Sequence, residues 1–232
     1  MRYKNLVFLG TSHIAKQSLD EVRSYIEKEK PGIIALELDR KRLPAPMKSQ
    51  RQRIGLSGIW RVGLKGFIFS LFGAWAEKKL GKIVGVSPGS EMKQAVRIAR
   101  KEKIEIALVD QDIEITLQRL SKSITWKEKR TFVRELVKAF FTKEKEIDFD
   151  LTTVPEKQIV NKMVAKLKES YPNVYRVLIE ERNKVIARNI KNLMDLRPNA
   201  KILVILGAGH IDDVLEMIKK EEQEISYSFS VG

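Results

Sequence analysis

Both histidines of this chain close the same phrase. Leu6-Val7-Phe8-Leu9-Gly10-Thr11-Ser12-His13 is matched by Leu203-Val204-Ile205-Leu206-Gly207-Ala208-Gly209-His210. With 13 Gly in 232 residues, Gly three positions before both histidines has a chance of about 0.3%, so the repeat reads as a motif. A neutral imidazole is a metal ligand or a general base, and a glycine turn lets the backbone bend so that the ring faces a cleft. Carboxylates stand in matching places. Glu37 interrupts the apolar run Ile33 to Leu38, Asp39, Asp110 and Asp112 follow apolar runs, and Glu91 opens a helical pattern, where the helix dipole favours negative charge. Two imidazoles beside a carboxylate are the usual donors for a hydrolytic divalent metal. With no Cys in the chain, only His and carboxylates remain as such ligands. The expected donors are His13, His210 and Glu37, holding Mn, Co or Zn, with Glu91 completing or supporting the shell.

A further cation belongs to the same question. Val174, Leu178, Val185, Ile186, Ile190 and Leu193 form one helical stripe, and Glu181 and Arg182 fall in its gap. Buried charges must be paired, so the two are a structural ion pair or residues reaching the cleft. In the second case Arg182 anchors a substrate carboxylate or a developing oxyanion.

These residues must be positioned by a sheet. The runs before Gly10 and Gly207 read as buried strands, and in an open parallel sheet ligands bind beyond the carboxyl ends of strands. Ser18 and Glu21 form a capping box for a helix that Pro31-Gly32 ends. A strand over 33–38 follows, and a right-handed crossover to a parallel partner is the default. A short strand at 82–86, a helix from Glu91, a strand at 104–109 and a helix beyond Asp112 continue the pattern. From 121 to 197 only helical periodicity remains, including a helix opened by Pro155 and one from about Val174 to about Leu196. The sheet resumes at Lys201, and the chain closes with a helix from Asp212 and a strand at 225–231. The expectation is a single α/β domain over 1–232. It has a mostly parallel central sheet flanked by helices, a helical segment at about 50–80 and a helical insertion at about 121–197.

Segment 59–76 is rich in aromatics, but Arg61 and Lys65 interrupt any uncharged run long enough to span a bilayer. It packs on the sheet as a helix, or offers a surface for a homodimer or a membrane interface. The formal charge of +14 points to solvated Lys on helix faces, or to an acidic peptide or anionic membrane. RNA-type aromatic motifs and zinc-finger spacings are absent, which argues against nucleic acid. The opening Met1-Arg2-Tyr3-Lys4-Asn5 has no signal-peptide character, so a cytoplasmic location is expected.

The ordered motifs resemble those of the TraB/PrgY pheromone-shutdown family, a relative of the Tiki and GumN proteins. They are Gly10-Thr11-Ser12-His13, Glu37-Leu38-Asp39 with Arg42, Gly89-Ser90-Glu91, Asp110-Gln111-Asp112-Ile113, Thr116-Leu117-Gln118-Arg119, Glu180-Glu181-Arg182-Asn183 and Gly207-Ala208-Gly209-His210. The resemblance implies a fold akin to the ChaN and erythromycin-esterase-like group. It also implies a site of both Gly-x-x-His motifs, the strand-end Glu37 and an Arg, with Arg182, Arg119 and Asp110 meeting the substrate. Tiki relatives are regarded as divalent-metal-dependent proteases, and TraB and PrgY members are linked to inactivating a peptide pheromone. Some members continue into C-terminal membrane helices, so the chain is expected to be either a soluble member or a trimmed domain whose membrane association runs through a C-terminal anchor absent here. The function expected is a metal-dependent, peptidase-like hydrolase of a peptide or small amide or ester. The alternatives are an esterase-like hydrolase using a His base without metal, and a peptide-binding module without turnover.

Overall fold

The computed structural model describes residues 1–11, 16–43, 89–141 and 157–230. His13, Pro155, the strand expected at 82–86 and the aromatic segment 59–76 lie outside them. Strands β1 (Arg2–Tyr3), β2 (Leu6–Thr11), β3 (Ile33–Leu36), β4 (Glu105–Leu108) and β5 (Ile202–Gly207) form one sheet in the order β1-β2-β5-β3-β4. All neighbours are parallel except β1, which pairs antiparallel with β2.

The fold class agrees with the expectation, and the topology refines it. Helix α1 (Lys16–Glu29) joins β2 to β3, yet these two strands are not neighbours. The late strand β5 lies between them, pairing Leu6 with Ile202 on one side and Ile33 with the same residue on the other. Leu-Val-Ile runs without alternation suit this place, because a central parallel strand is covered on both faces. Every residue of β5 is buried.

Helices cover both faces. Ile202, Val204 and Leu206 face α7 (Glu181–Leu196) and α8 (Ile211–Ser230), meeting Ile186, Ile190, Val214 and Ile218. Leu203 and Ile205 face α1 and α2 (Ser90–Lys101), meeting Val22, Ile26, Met92 and Val96. Truncating a fully buried leucine loses its transfer energy and leaves a cavity. Leu203→Ala should therefore lower unfolding free energy by about 3 kcal/mol in urea titrations.

Helices α3 (Ile113–Ser123), α4 (Trp126–Phe141), α5 (Lys157–Ser170) and α6 (Pro172–Tyr175) precede α7. The first expected cap is displaced, since α1 starts at Lys16, ahead of Ser18. The strand expected at 225–231 is replaced through Ser230 by the continuation of α8. The alternation Ile225, Tyr227, Phe229 suggests an extended edge. Extending a helix already nucleated needs only one further bond per residue, and Glu216 supports it through Lys220 one turn on at 2.7 Å.

Candidate functional site

The strand order sets the sequence of functional groups along the carboxyl edge. From β2 to β4 it is the strand leading to His13, then those leading to His210, Glu37 and Asp110. Helix α2 runs back toward the start of β4, so its first turn, with buried Glu91, also lies on this side of the sheet.

The two glycine turns touch. The Ala208 amide donates to the Thr11 carbonyl at 2.9 Å. A Cβ on Gly10 would come within 2.8 Å of Ile211 Cδ1 and 3.5 Å of the Ala208 Cα. Gly10 thus leaves room for the turn that carries His210. That turn closes through the His210 amide on the Gly207 carbonyl at 2.9 Å, and His210's carbonyl accepts from Val214 as α8 begins.

Glu37 and His210 are 4% and 7% exposed, and Glu37 Oε1 lies 3.5 Å from His210 Nε2. The Gly207 amide donates to Glu37 Oε2 at 2.6 Å, so the second glycine motif grips the carboxylate as well as presenting the histidine. On the other side of the imidazole, Nδ1 is 2.6 Å from Asn183 Oδ1. Asn183 is fully buried, and its Nδ2 donates to Asp213 Oδ2 at 3.1 Å. This chain assigns the proton. Asp213 as a carboxylate only accepts, so the amide nitrogen faces it and the amide oxygen faces the ring. Nδ1 must then carry a hydrogen, leaving Nε2 as the nitrogen directed at Glu37.

Arg182 closes the other side. Its Nη2 donates to Glu37 Oε1 at 2.6 Å and to Asp110 Oδ2 at 2.7 Å, Nε donates to Asp110 Oδ1 at 3.1 Å, and Nη1 donates to the Leu178 carbonyl at 3.3 Å. A π-helical turn, Arg176–Glu180, immediately precedes it, with the Glu181 amide reaching the Arg176 carbonyl. Such widened turns recur at functional sites. Here Arg182 faces the carboxylates and its neighbour Asn183 faces His210. Glu181 turns outward to Arg119 at 2.9 Å, so Glu181 and Arg182 do not pair with each other.

The network continues through Arg42, whose Nη2 donates to Asp110 Oδ2 at 2.5 Å and Nε to Asp39 Oδ2 at 2.7 Å. Asp39 also accepts from the amides of Lys41, Arg42 and Ile113, tying β3's end to the start of α3. Burial alone would push the Asp110 carboxyl up, but Arg182 and Arg42 hold it below the ordinary aspartate range. Burial works against the Arg182 charge, which Asp110 and Glu37 nevertheless hold more firmly than usual.

Of the residues picked out in the sequence, the structure joins Glu37, His210, Arg182 and Asp110 in one network. Arg119 lies on α3, half-exposed, with its guanidinium on Glu181. Asn183, Asp213, Arg42 and Asp39 enter as supports that carried no assigned role. Their signal was position: Asn183 follows Arg182 directly, and Asp213 stands three residues after His210, in the first turn of α8. Among the described residues no three His, Cys, Asp or Glu side chains converge closely enough to hold a metal ion.

The sequence model of the TraB/PrgY/gumN family matches residues 3–226. The chain is 37% identical over 221 residues to an uncharacterized protein of Methanocaldococcus jannaschii, covering 94% of this chain and 54% of that one. It is 20% identical over 230 residues to a TraB domain-containing protein of Homo sapiens, covering 89% of this chain and 60% of that one. This chain thus spans a little over half the length of each curated relative.

Proposed function

Because the chain belongs to the TraB/PrgY/gumN family, we propose that it is a divalent-metal-dependent, peptidase-like hydrolase of a peptide or a small amide or ester. The observation that carries this reading is the pairing of His210 Nε2 with Glu37 Oε1 at 3.5 Å, with Nδ1 bound on its far side. Two ligands about 2.1 Å from a tetrahedral ion stand about 3.4 Å apart, so the pair has the spacing of adjacent metal donors. A ligating histidine also characteristically donates its other N–H to an oxygen that fixes the ring, the role Asn183 fills. His13, two residues beyond Thr11 on the strand beside β5, is the third donor in this proposal. When bound, the ion supplies a water of lowered pKa and a Lewis acid for the carbonyl.

The protein's own groups do the rest. Asp213 fixes the Asn183 amide, and Asn183 fixes the imidazole tautomer. The Gly207 amide holds Glu37 Oε2, leaving Oε1 turned to the histidine. Arg182 sets the position of Glu37 and neutralises it together with Asp110. Arg42, at 35% side-chain exposure, carries the network's positive charge out to solvent, where an anionic substrate group would meet it.

One observation favours a second reading. Arg182 Nη2 already occupies Glu37 Oε1 at 2.6 Å. Held there, Glu37 would stabilise the imidazolium formed when His210 Nε2 takes a proton from water as a general base, without any metal.

The test is a calorimetric titration of chelator-stripped protein with Mn²⁺, Co²⁺ and Zn²⁺, run beside hydrolysis assays on a peptide library. One equivalent should bind, and Asn183→Ala, which removes the amide linking the ring to Asp213, should weaken binding by about 10–100-fold. Hydrolysis that survives exhaustive chelation selects the metal-free reading. Binding of peptides without turnover in either condition leaves a sequestering module and ends the proposal.

A further inference from the structure

Helix α4 has a face that the hydrolytic site does not use. Its start is a capping box, in which the Thr125 amide donates to Glu128 Oε2 at 2.9 Å and the Glu128 amide donates to Thr125 Oγ1 at 3.3 Å. Glu128 also accepts from the Asn173 amide at 2.7 Å, and Glu135 accepts from the Tyr171 hydroxyl at 2.6 Å. Both acids lie on one side of the helix and tie it to the segment from Tyr171 to Asn173. At 100° per residue, Trp126, Arg130 and Val133 then fall together on the opposite side, flanked by Lys129 and Arg134.

That outward face has an unusual make-up for a globular surface. Trp126 is 78% exposed and Val133 56% exposed. Lys129 lies over the indole at 4.8 Å. None of Lys127, Lys129, Arg130 or Arg134 makes an ion pair with a described carboxylate, and the two acids of this stretch are on the anchored side. An exposed indole within a rim of cations that no described carboxylate pairs complements a surface that is apolar below and anionic above.

We propose that this face of α4 is a peripheral docking surface for anionic lipid bilayers, with Trp126 entering the headgroup boundary and the cations meeting lipid phosphates and carboxylates. Trp is favoured at that depth because its ring is apolar and its N–H polar. Basic residues beside a negatively charged leaflet add affinity that salt screens. A second copy of the chain does not suit the surface, since it would set cations against cations in a molecule of charge +14. Nucleic acid would use the cations and stack a base on the indole, but it gives no role to exposed Val133 on the same stripe. No described helix is long and apolar enough to cross a membrane, so the contact proposed is interfacial.

The experiment is flotation of the full chain with phosphatidylcholine vesicles, with and without phosphatidylserine, at low and physiological salt. The chain should float only with the phosphatidylserine vesicles, and more weakly as salt rises. Trp126→Ser should reduce the bound fraction, and the double variant Arg130→Glu/Arg134→Glu should lower the partition coefficient at least about tenfold. All three sites are on the surface, so thermal unfolding should match the wild type and separate lost binding from lost fold. The proposal fails if the wild type floats with neither vesicle, or if the variants float as it does. It also fails if these residues govern binding to duplex or single-stranded DNA while vesicles bind nothing.

Discussion

His210→Ala should lower kcat/KM for any peptide the wild type cleaves by about 10²–10⁴-fold, the range a positioned base contributes, and should lower stability by only about 1–3 kcal/mol, for the Asn183 oxygen left without a partner. The substitution removes Nε2, which lies 3.5 Å from Glu37, and with it the contact to Asn183. It spares the backbone bonds from the His210 amide to Gly207 and from Val214 to the His210 carbonyl, so the turn and the start of α8 persist. Steady-state hydrolysis beside circular-dichroism melts checks both halves. A variant as fast as the wild type would remove His210 from the chemistry, whichever hydrolytic reading is preferred.

Arg182→Met should destabilise the chain by about 3–5 kcal/mol near neutral pH, the cost of leaving a buried charge without its partner. Glu37 and Asp110 lose a cation at once, and of these two Arg42 pairs with Asp110. The pH dependence gives a sharper check. Asp110 has a folded-state pKa below its unfolded value of about 3.9. Its contribution is therefore complete above about pH 4 and lost as pH falls through the folded value. Without Arg182, Asp110 protonates more readily in the folded state, so the gap between variant and wild type should narrow in acid. Urea titrations from pH 3 to pH 7 measure it, and a gap constant across that range would show that Arg182 acts through packing rather than charge. Arg182→Lys restores the charge without the fork that spans Glu37 and Asp110, and recovery should be partial.

The sequence carried the sheet well because β2, β3 and β5 are apolar runs up to their ends, and the strand-end groups sit where such runs stop. It carried Glu37 for the same reason, a lone charge in an apolar run being conspicuous. It did not carry the neighbours of β5, because strand order depends on long-range packing that local pattern does not encode. Placing β2 next to β3 followed the short connection, whereas the covering of both faces favours the most apolar strand at the centre. Asn183 and Asp213 were illegible as a relay for a similar reason. Each is ordinary on a helix alone, and only the approach of α7 to α8 makes a hydrogen-bonded line of them. The closing helix was misread because alternating Ile225, Tyr227 and Phe229 resemble an edge strand, while the capacity of α8 to continue is set upstream.

The place of β5 also bears on how the molecule comes into being. Its two partners, β2 and β3, are synthesised within the first 36 residues, but the strand that joins them begins at Ile202. A growing chain must therefore hold two strands with unsatisfied edges until β5, far along the chain, has been made. Such edges invite pairing with other chains, and contacts so distant in sequence form slowly. The glycine turns meet only when that gap closes, so assembly of the site and completion of the sheet are one late event. A nascent chain would then carry no half-built site before the sheet is complete.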